Sequence, residues 1–131
     1  MDFDRKLISN GKLMECIVGF SRAVRVGPMI FVVGIAPVDA DGRTMGVGDV
    51  TTQTRQCIKV IKSALEQAGS GLHHVVRTPV ILNHIDNWNA AIDVRKEYFR
   101  DIQPVDTIVA IDRFVNPEWL VEFEVDAVIN N

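Results

Sequence analysis

Apolar residues along the 131-residue chain keep two rhythms, and the switches between them outline a fold. Residues 21–26 alternate small or charged with apolar side chains, the period of a strand with one wet face. Gly27 and Pro28 make a turn. The run over residues 29–36, Met-Ile-Phe-Val-Val-Gly-Ile-Ala, is almost unbroken apolar sequence, as expected of a strand covered on both faces. The two segments together predict a β-hairpin. The rhythm then lengthens over residues 50–68. Cys57, Ile58, Ile61, Ala64, Leu65 and Ala68 share one helical face, and Arg55, Lys59, Lys62 and Glu66 share the other. Asp49 is placed to cap the first turn and Gly69 to end the last. A third strand is expected over residues 75–83, with Pro79 marking an edge or a bulge. A second helix, capped by Asp86 or Asn87, runs to Phe99. Strands over 107–114 and 120–128 follow, separated by a turn at Asn116, Pro117 and Glu118. Residues 1–11 read as an extended arm closed by a turn at Ser9, Asn10 and Gly11. The order β-β-α-β-α-β-β predicts an α+β domain, one mixed sheet with two helices on one face. Such a sheet leaves more apolar surface than two helices cover, which points to self-association.

Composition narrows the class. The length suits a single domain over residues 1–131. At 47% hydrophobic and 24% charged, the balance is that of a folded globular protein. A net charge of −3 with no basic run argues against a nucleic-acid partner. No apolar stretch is long enough to span a membrane, and the charged start argues against an ordinary secretory signal, so a cytoplasmic protein is expected. Cys16 and Cys57 form neither a disulfide framework nor a zinc signature, and Cys57 reads as a small core residue.

Several local patterns invite chemistry. Asp39-Ala40-Asp41-Gly42 suggests calcium, but the glycine and the closing glutamate of a calcium loop are misplaced, and a turn accounts for it. His73 and His74, read as strand neighbours, point to opposite faces and lack partners at ligand spacing, so no metal is expected. Ser21 lacks the nucleophile-elbow glycines, and Gly46-Val47-Gly48 lacks the lysine of a phosphate loop. The strongest signal is the last strand. Glu122, Glu124 and Asp126 alternate with Val121, Phe123 and Val125, which stacks three acids on one face. Adjacent like charges need cations opposite them, and Arg22, Arg25 or Arg113 are the candidates.

Three stretches are similar at matching spacing to one family. They are Gly19-Phe20-Ser21-Arg22-Ala23-Val24-Arg25-Val26-Gly27 with Ile30-Phe31-Val32-Val33-Gly34; Thr54-Arg55-Gln56-Cys57 with Leu65-Glu66-Gln67-Ala68-Gly69; and residues 104–109 with Leu120-Val121-Glu122-Phe123-Glu124. They resemble the Rid family of reactive intermediate deaminases, also called the YjgF or endoribonuclease L-PSP family, over residues 17–129. The resemblance implies a chorismate-mutase-like α+β fold assembled as a homotrimer, with ligand clefts between subunits. It also implies hydrolysis of enamines and imines to a keto acid and ammonia, with no metal or organic cofactor.

The site residues carry over one at a time. Glu122 matches the glutamate that helps activate water. The arginine that forks onto a substrate carboxylate is replaced by Asp106, which reverses the charge where a bidentate cation is needed. Phe20 matches a cleft-lining tyrosine without its hydroxyl, Val33 a serine, Gly34 the glycine after it, Ile92 an asparagine and Ile108 a cysteine. Trp119, ahead of the acidic strand, is placed to wall the cleft. The expected site therefore has Glu122 and Asp106 as a catalytic pair on neighbouring strands, each raising the other's pKa, with the other residues lining a small-metabolite cleft. A substrate bearing an amine would suit two acids. The loss of the arginine favours a non-catalytic binding or regulatory module, and the charge disfavours an endoribonuclease.

Overall fold

The computed structural model describes residues 3–9, 11 and 13–130; Met1, Asp2 and Asn10 of the expected arm and turn lie outside them. The elements run β1 (Arg5–Ile8), α1 (Leu13–Val18), β2 (Ala23–Val26), β3 (Met29–Ile35), α2 (Val50–Gln67), β4 (Val75–Arg77), β5 (Val80–Leu82), α3 (Trp88–Phe99), β6 (Ile108–Ala110) and β7 (Val121–Val128). They build one mixed sheet in the order β1-β2-β3-β7-β5-β6, with β4 also paired to β7. The β5–β6 pair is parallel and the others are antiparallel.

The helix over 50–67 forms for the reasons its sequence carries. The Asp49 carboxylate accepts from the Thr52 amide at 3.2 Å and the Thr52 hydroxyl at 2.7 Å, satisfying an end that would otherwise be open. Gly69, at φ +84°, takes the left-handed position that ends the helix. The apolar row of α2 is fully buried against Ile30 and Val32 of β3 and Phe123 and Val125 of β7. Each large aliphatic side chain so buried stabilises by about 1.5–3 kcal/mol. From α3, Ala91, Val94 and Phe99 complete this core. Arg55 of α2 clamps Glu97 of α3 with two bonds of 2.8 and 3.0 Å.

The fold departs from the expectation in several places, among them the start of α3, which Asn87 precedes without a side-chain capping bond. The arm is a strand, β1, paired along β2; two adjacent charges, Arg5 and Lys6, hide its alternation. The short helix α1 has no periodic signal over its six residues. Pro79 divides the third strand in two. It has no N–H to give the ladder, and its carbonyl accepts from the Glu124 amide at 3.2 Å, between β4 opposite Asp126 and Ala127 and β5 opposite residues 121–123. The strand expected over 107–114 stops at Ala110, after which Asp112 and Arg113 stand exposed. His73 and His74 sit in a 3-10 turn rather than a strand, so their rings lie together with centroids 3.9 Å apart.

The run over 29–36 is covered on one face only in this chain. Ile30, Val32 and Ile35 are buried, whereas Met29, Phe31 and Val33 are exposed. The helices lie on one side of the sheet, and the other side is bare. Among the described residues, no helix is long and apolar enough to cross a membrane.

Candidate functional site

The last strand is the spine of the site. Its alternation is strict: Val121, Phe123, Val125 and Ala127 are buried under the helices, and Glu122, Glu124 and Asp126 project from the bare face. Two of the three acids are matched. Arg77 of β4, in register with Asp126, donates from Nε to its Oδ2 at 2.7 Å and holds Nη2 3.8 Å from Glu124 Oε2. Glu122 has no hydrogen bond or ion pair among the described residues. Its cross-strand neighbour is Ile81, and beyond that lies Val109. The half-buried carboxyl beside this apolar flank is pushed above the usual carboxylate range, first by burial and then by the neighbouring charge of Glu124.

On the other side of β7, the β3 strand carries one extra residue. Its register passes from Val32 opposite Val125 to Ile35 opposite Phe123, so Val33 and Gly34 together oppose Glu124. Gly34 holds φ +63°, where an L side chain is strained, although space for a Cβ is open. The glycine is therefore required by the bulge, which lies opposite Glu124.

Asp106 lies elsewhere. Its Oδ2 is 3.4 Å from Nε of Arg95 on α3, on the helical side of the sheet. Arg95 is itself held by the wholly buried Thr78, whose hydroxyl oxygen accepts from Nε at 2.8 Å and Nη2 at 2.6 Å. A further bond of 3.3 Å reaches the Pro104 carbonyl, and the guanidinium stands 5.6 Å from the Phe99 ring centre. Burial raises the Asp106 pKa, while Arg95 and the Thr107 amide oppose that rise.

This geometry corrects the expected catalytic pair. Asp106 precedes β6, and β5 lies between β6 and β7, so the two acids are not on neighbouring strands. They also face opposite sides of the sheet, and neither is among the groups that shift the other's pKa. The expected cations are corrected too. Arg25 is spent on the Gly27 and Ala68 carbonyls at 2.9 and 2.6 Å, Arg113 is paired with exposed Asp112, and Arg22 lies beside α2. Arg77 does the work assigned to them.

The lining residues divide accordingly. Val33 and Gly34 stand at the bulge opposite Glu124, two residues along β7 from Glu122. Phe20 is exposed between α1 and β2. Ile108 turns towards the core with Val80, and Ile92, on α3 one turn before Arg95, is partly buried. Trp119, just before β7, has a buried indole N–H with no partner among the described residues.

Three residues escaped the sequence reading: Arg77, Arg95 and Gln53. Arg95 lies four residues after Ala91 and four before Phe99, both buried, and a charge at that spacing signals a covered partner. Gln53 is fully buried; its Oε1 accepts from the Leu120 amide at 2.8 Å, and its Nε2 donates to the Glu118 carbonyl at 2.8 Å. It thereby ties the start of β7 to α2.

The family model described as Endoribonuclease L-PSP matches residues 11–129. A RutC family protein of Pyrococcus abyssi is 32% identical over 120 residues, 92% of this chain and 94% of that one. The human 2-iminobutanoate/2-iminopropanoate deaminase is 30% identical over 100 residues, 76% of this chain and 73% of its own. A crystal structure of a YjgF/YER057c/UK114 family member from Mycobacterium tuberculosis superposes with a TM-score of 0.87 at 36% identity, covering 96% of this chain and all of that one. With a family match over nearly its whole length and a shared α+β architecture, the chain belongs to the Rid/YjgF family.

Proposed function

We propose that this chain is a cytoplasmic homotrimer that binds a small metabolite in clefts between subunits, with Glu122 as the proton-transfer group in hydrolysis of an enamine or imine. The observation that carries this reading is the state of Glu122: half-buried, unpaired among the described residues, and raised in pKa by burial beside Ile81. A carboxyl so placed exchanges a proton near neutral pH more readily than a solvated one. In the reaction, water adds to the carbon of the protonated imine as the Glu122 carboxylate takes its proton, giving a carbinolamine. The carboxyl then gives that proton to nitrogen, and as the C–N bond breaks the carboxylate takes the hydroxyl proton, so that a carbonyl and ammonia leave. The deaminase name of the human relative supports this chemistry. The exposed Met29, Phe31, Val33 and Val109 on the bare face support the assembly, because an apolar sheet face of this kind is normally covered by partners. A ribonuclease is disfavoured by the net charge of −3.

A second reading, a binding module without catalysis, is favoured by one observation. Arg95 is committed to Thr78 and Asp106, and Arg77, bridged to Val105, to Asp126, so that among the described residues neither cation near the start of β6 is left to fork onto a carboxylate. The same observation makes 2-aminoacrylate a poor substrate. The two readings separate in an assay of ammonia release from imines generated in situ, with and without a carboxylate. The first expects slow turnover of 2-aminoacrylate, faster turnover of an imine lacking the carboxylate, and a loss of about 100-fold or more in Glu122→Gln. Binding of these compounds without turnover establishes the second. An unchanged rate in Glu122→Gln removes Glu122 from the mechanism.

A further inference from the structure

A cavity of about 390 Å³ lies on the helical side of the sheet, along α2 and beneath the loop at residues 38–40. It is well away from Glu122, which projects from the opposite face. The side of α2 that lines it mixes apolar Val60 and Ala64 with Lys59 and Ser63. Arg22, just before β2, closes the far wall. The volume falls within the range of small-molecule sites, and the apolar floor with a few polar groups is the usual make-up of one.

Arg22 gives the cavity its chemistry. Its guanidinium is half-buried, and among the described residues no hydrogen bond or ion pair reaches it. The opposite charge acting on it is Glu15, through space, and burial outweighs that charge and pulls the Arg22 pKa below its ordinary value. A guanidinium carries five N–H donors and stays charged, so leaving it partly desolvated and unbonded is costly. Asp39 also lines the cavity, but its Oδ1 is occupied by the Asp41 and Arg43 amides, both at 2.9 Å. Lys59 stands exposed on α2 and adds a second positive charge at the rim.

We propose that this cavity binds a small organic anion, its carboxylate or phosphate headgroup held by Arg22 and Lys59 and its body resting on Val60 and Ala64. The proposal is independent of the Glu122 chemistry, since Glu122 is not among the residues that line the cavity. The anion supplies the acceptors that Arg22 lacks, and Ser63 offers it a further hydroxyl donor.

Amide NMR of the full-length protein, titrated with inorganic phosphate, succinate and 3-phosphoglycerate against sodium chloride as the ionic-strength control, tests this. The expected result is saturable shifts of the Lys59, Val60 and Ser63 amides and the Arg22 Nε–H, with a dissociation constant of about 1 mM or tighter for at least one probe. Saturation by phosphate but not succinate assigns a phosphate headgroup, and the reverse assigns a carboxylate. Arg22→Gln should weaken binding by about tenfold or more, because a charged hydrogen-bonding partner is lost. Lys59→Gln, at an exposed helical position that does not endanger folding, should weaken it by about threefold. Shifts that grow linearly as in sodium chloride, or saturable binding that both variants leave intact, would overturn the assignment.

Discussion

Gln53→Leu is the substitution that most directly tests how the start of β7 is held. Gln53 is wholly buried, and its side-chain amide answers three backbone groups: the Leu120 amide, the Glu118 carbonyl at 2.8 Å and the Gly46 carbonyl at 3.3 Å. Leucine keeps the size and removes all three bonds. Each buried polar group left unpaired costs about 1–3 kcal/mol. The Leu120 amide and the Glu118 carbonyl bear most of this, since the Gly46 bond is long. The apolar side chain returns about 1 kcal/mol of transfer free energy, so the net loss is about 1–5 kcal/mol. For a chain of this length, with an unfolding entropy of about 2.1 cal/mol/K per residue, that lowers Tm by about 4–18 °C. The measurement is a thermal melt of both proteins at equal concentration, because any assembly makes Tm depend on concentration. Gln53→Glu gives a sharper arm. Its carboxylate still accepts from Leu120 but sets oxygen against the Glu118 and Gly46 carbonyls, and protonation restores one donor, so its deficit should shrink as pH falls. A Tm within about 2 °C of wild type for Gln53→Leu would falsify the claim that this side chain anchors the strand.

Light scattering should give three times the 14.6 kDa chain mass, and Phe31→Asp, which puts a charge on the bare face beside Asp126, should shift it towards the monomer; a monomer mass for wild type refutes the assembly. Glu122 and Asp106 both have folded pKa values raised above their ordinary 4.5 and 3.8, so the folded state binds more protons and their contribution to stability falls as pH climbs from about those values through the raised ones. Glu122→Gln should therefore remove part of that fall and leave the protein at least as stable as wild type at neutral pH; a greater loss of stability at neutral pH than in acid contradicts the sign. Arg95→Met should cost about 1–3 kcal/mol, because it strands the buried Thr78 hydroxyl and unpairs Asp106, and adding Asp106→Asn should recover part of it; additive losses in a double-mutant cycle mean the two side chains do not interact.

The parts of the fold legible in the sequence are those set by local chemistry. Asp49, the apolar row of α2 and Gly69 each act within a turn or two of their own position, so the helix bounds could be read directly. The alternation over 121–128 likewise placed three acids on one face. What could not be read is which element lies opposite. Arg77 reaches Asp126 across 49 residues, and Arg95 reaches Thr78 across 17. Nothing in the local pattern near Asp126 favours Arg77 over Arg25, which is drawn instead to the Ala68 carbonyl at the end of α2. Strand order decided the matter: β7 sits between β3 on one side and β4 and β5 on the other, with Pro79 dividing β4 from β5.

The separation of the two acids changes what Asp106 implies for chemistry. Had it shared a cleft with Glu122, its charge would repel anionic substrates and raise the Glu122 pKa by like-charge coupling. Bound instead to Arg95 on the helical side, it is neutralised, and the rise at Glu122 comes from burial and from Glu124. Glu124 in turn is only loosely held by Arg77, at 3.8 Å against 2.7 Å for Asp126. The proton affinity of Glu122 is therefore set first by its burial and then, along its own strand, by the Glu124 charge that Arg77 partly offsets. Any ligand or partner subunit that draws Arg77 towards Asp126 leaves Glu124 more negative and lifts Glu122 further. One that brings a cation to Glu124 lowers it. Selectivity and acid–base strength thus share residues: Ile81 and Val109 flank Glu122 on the side where burial raises its proton affinity, while the Arg77 pairings act on the Glu124 charge beside it.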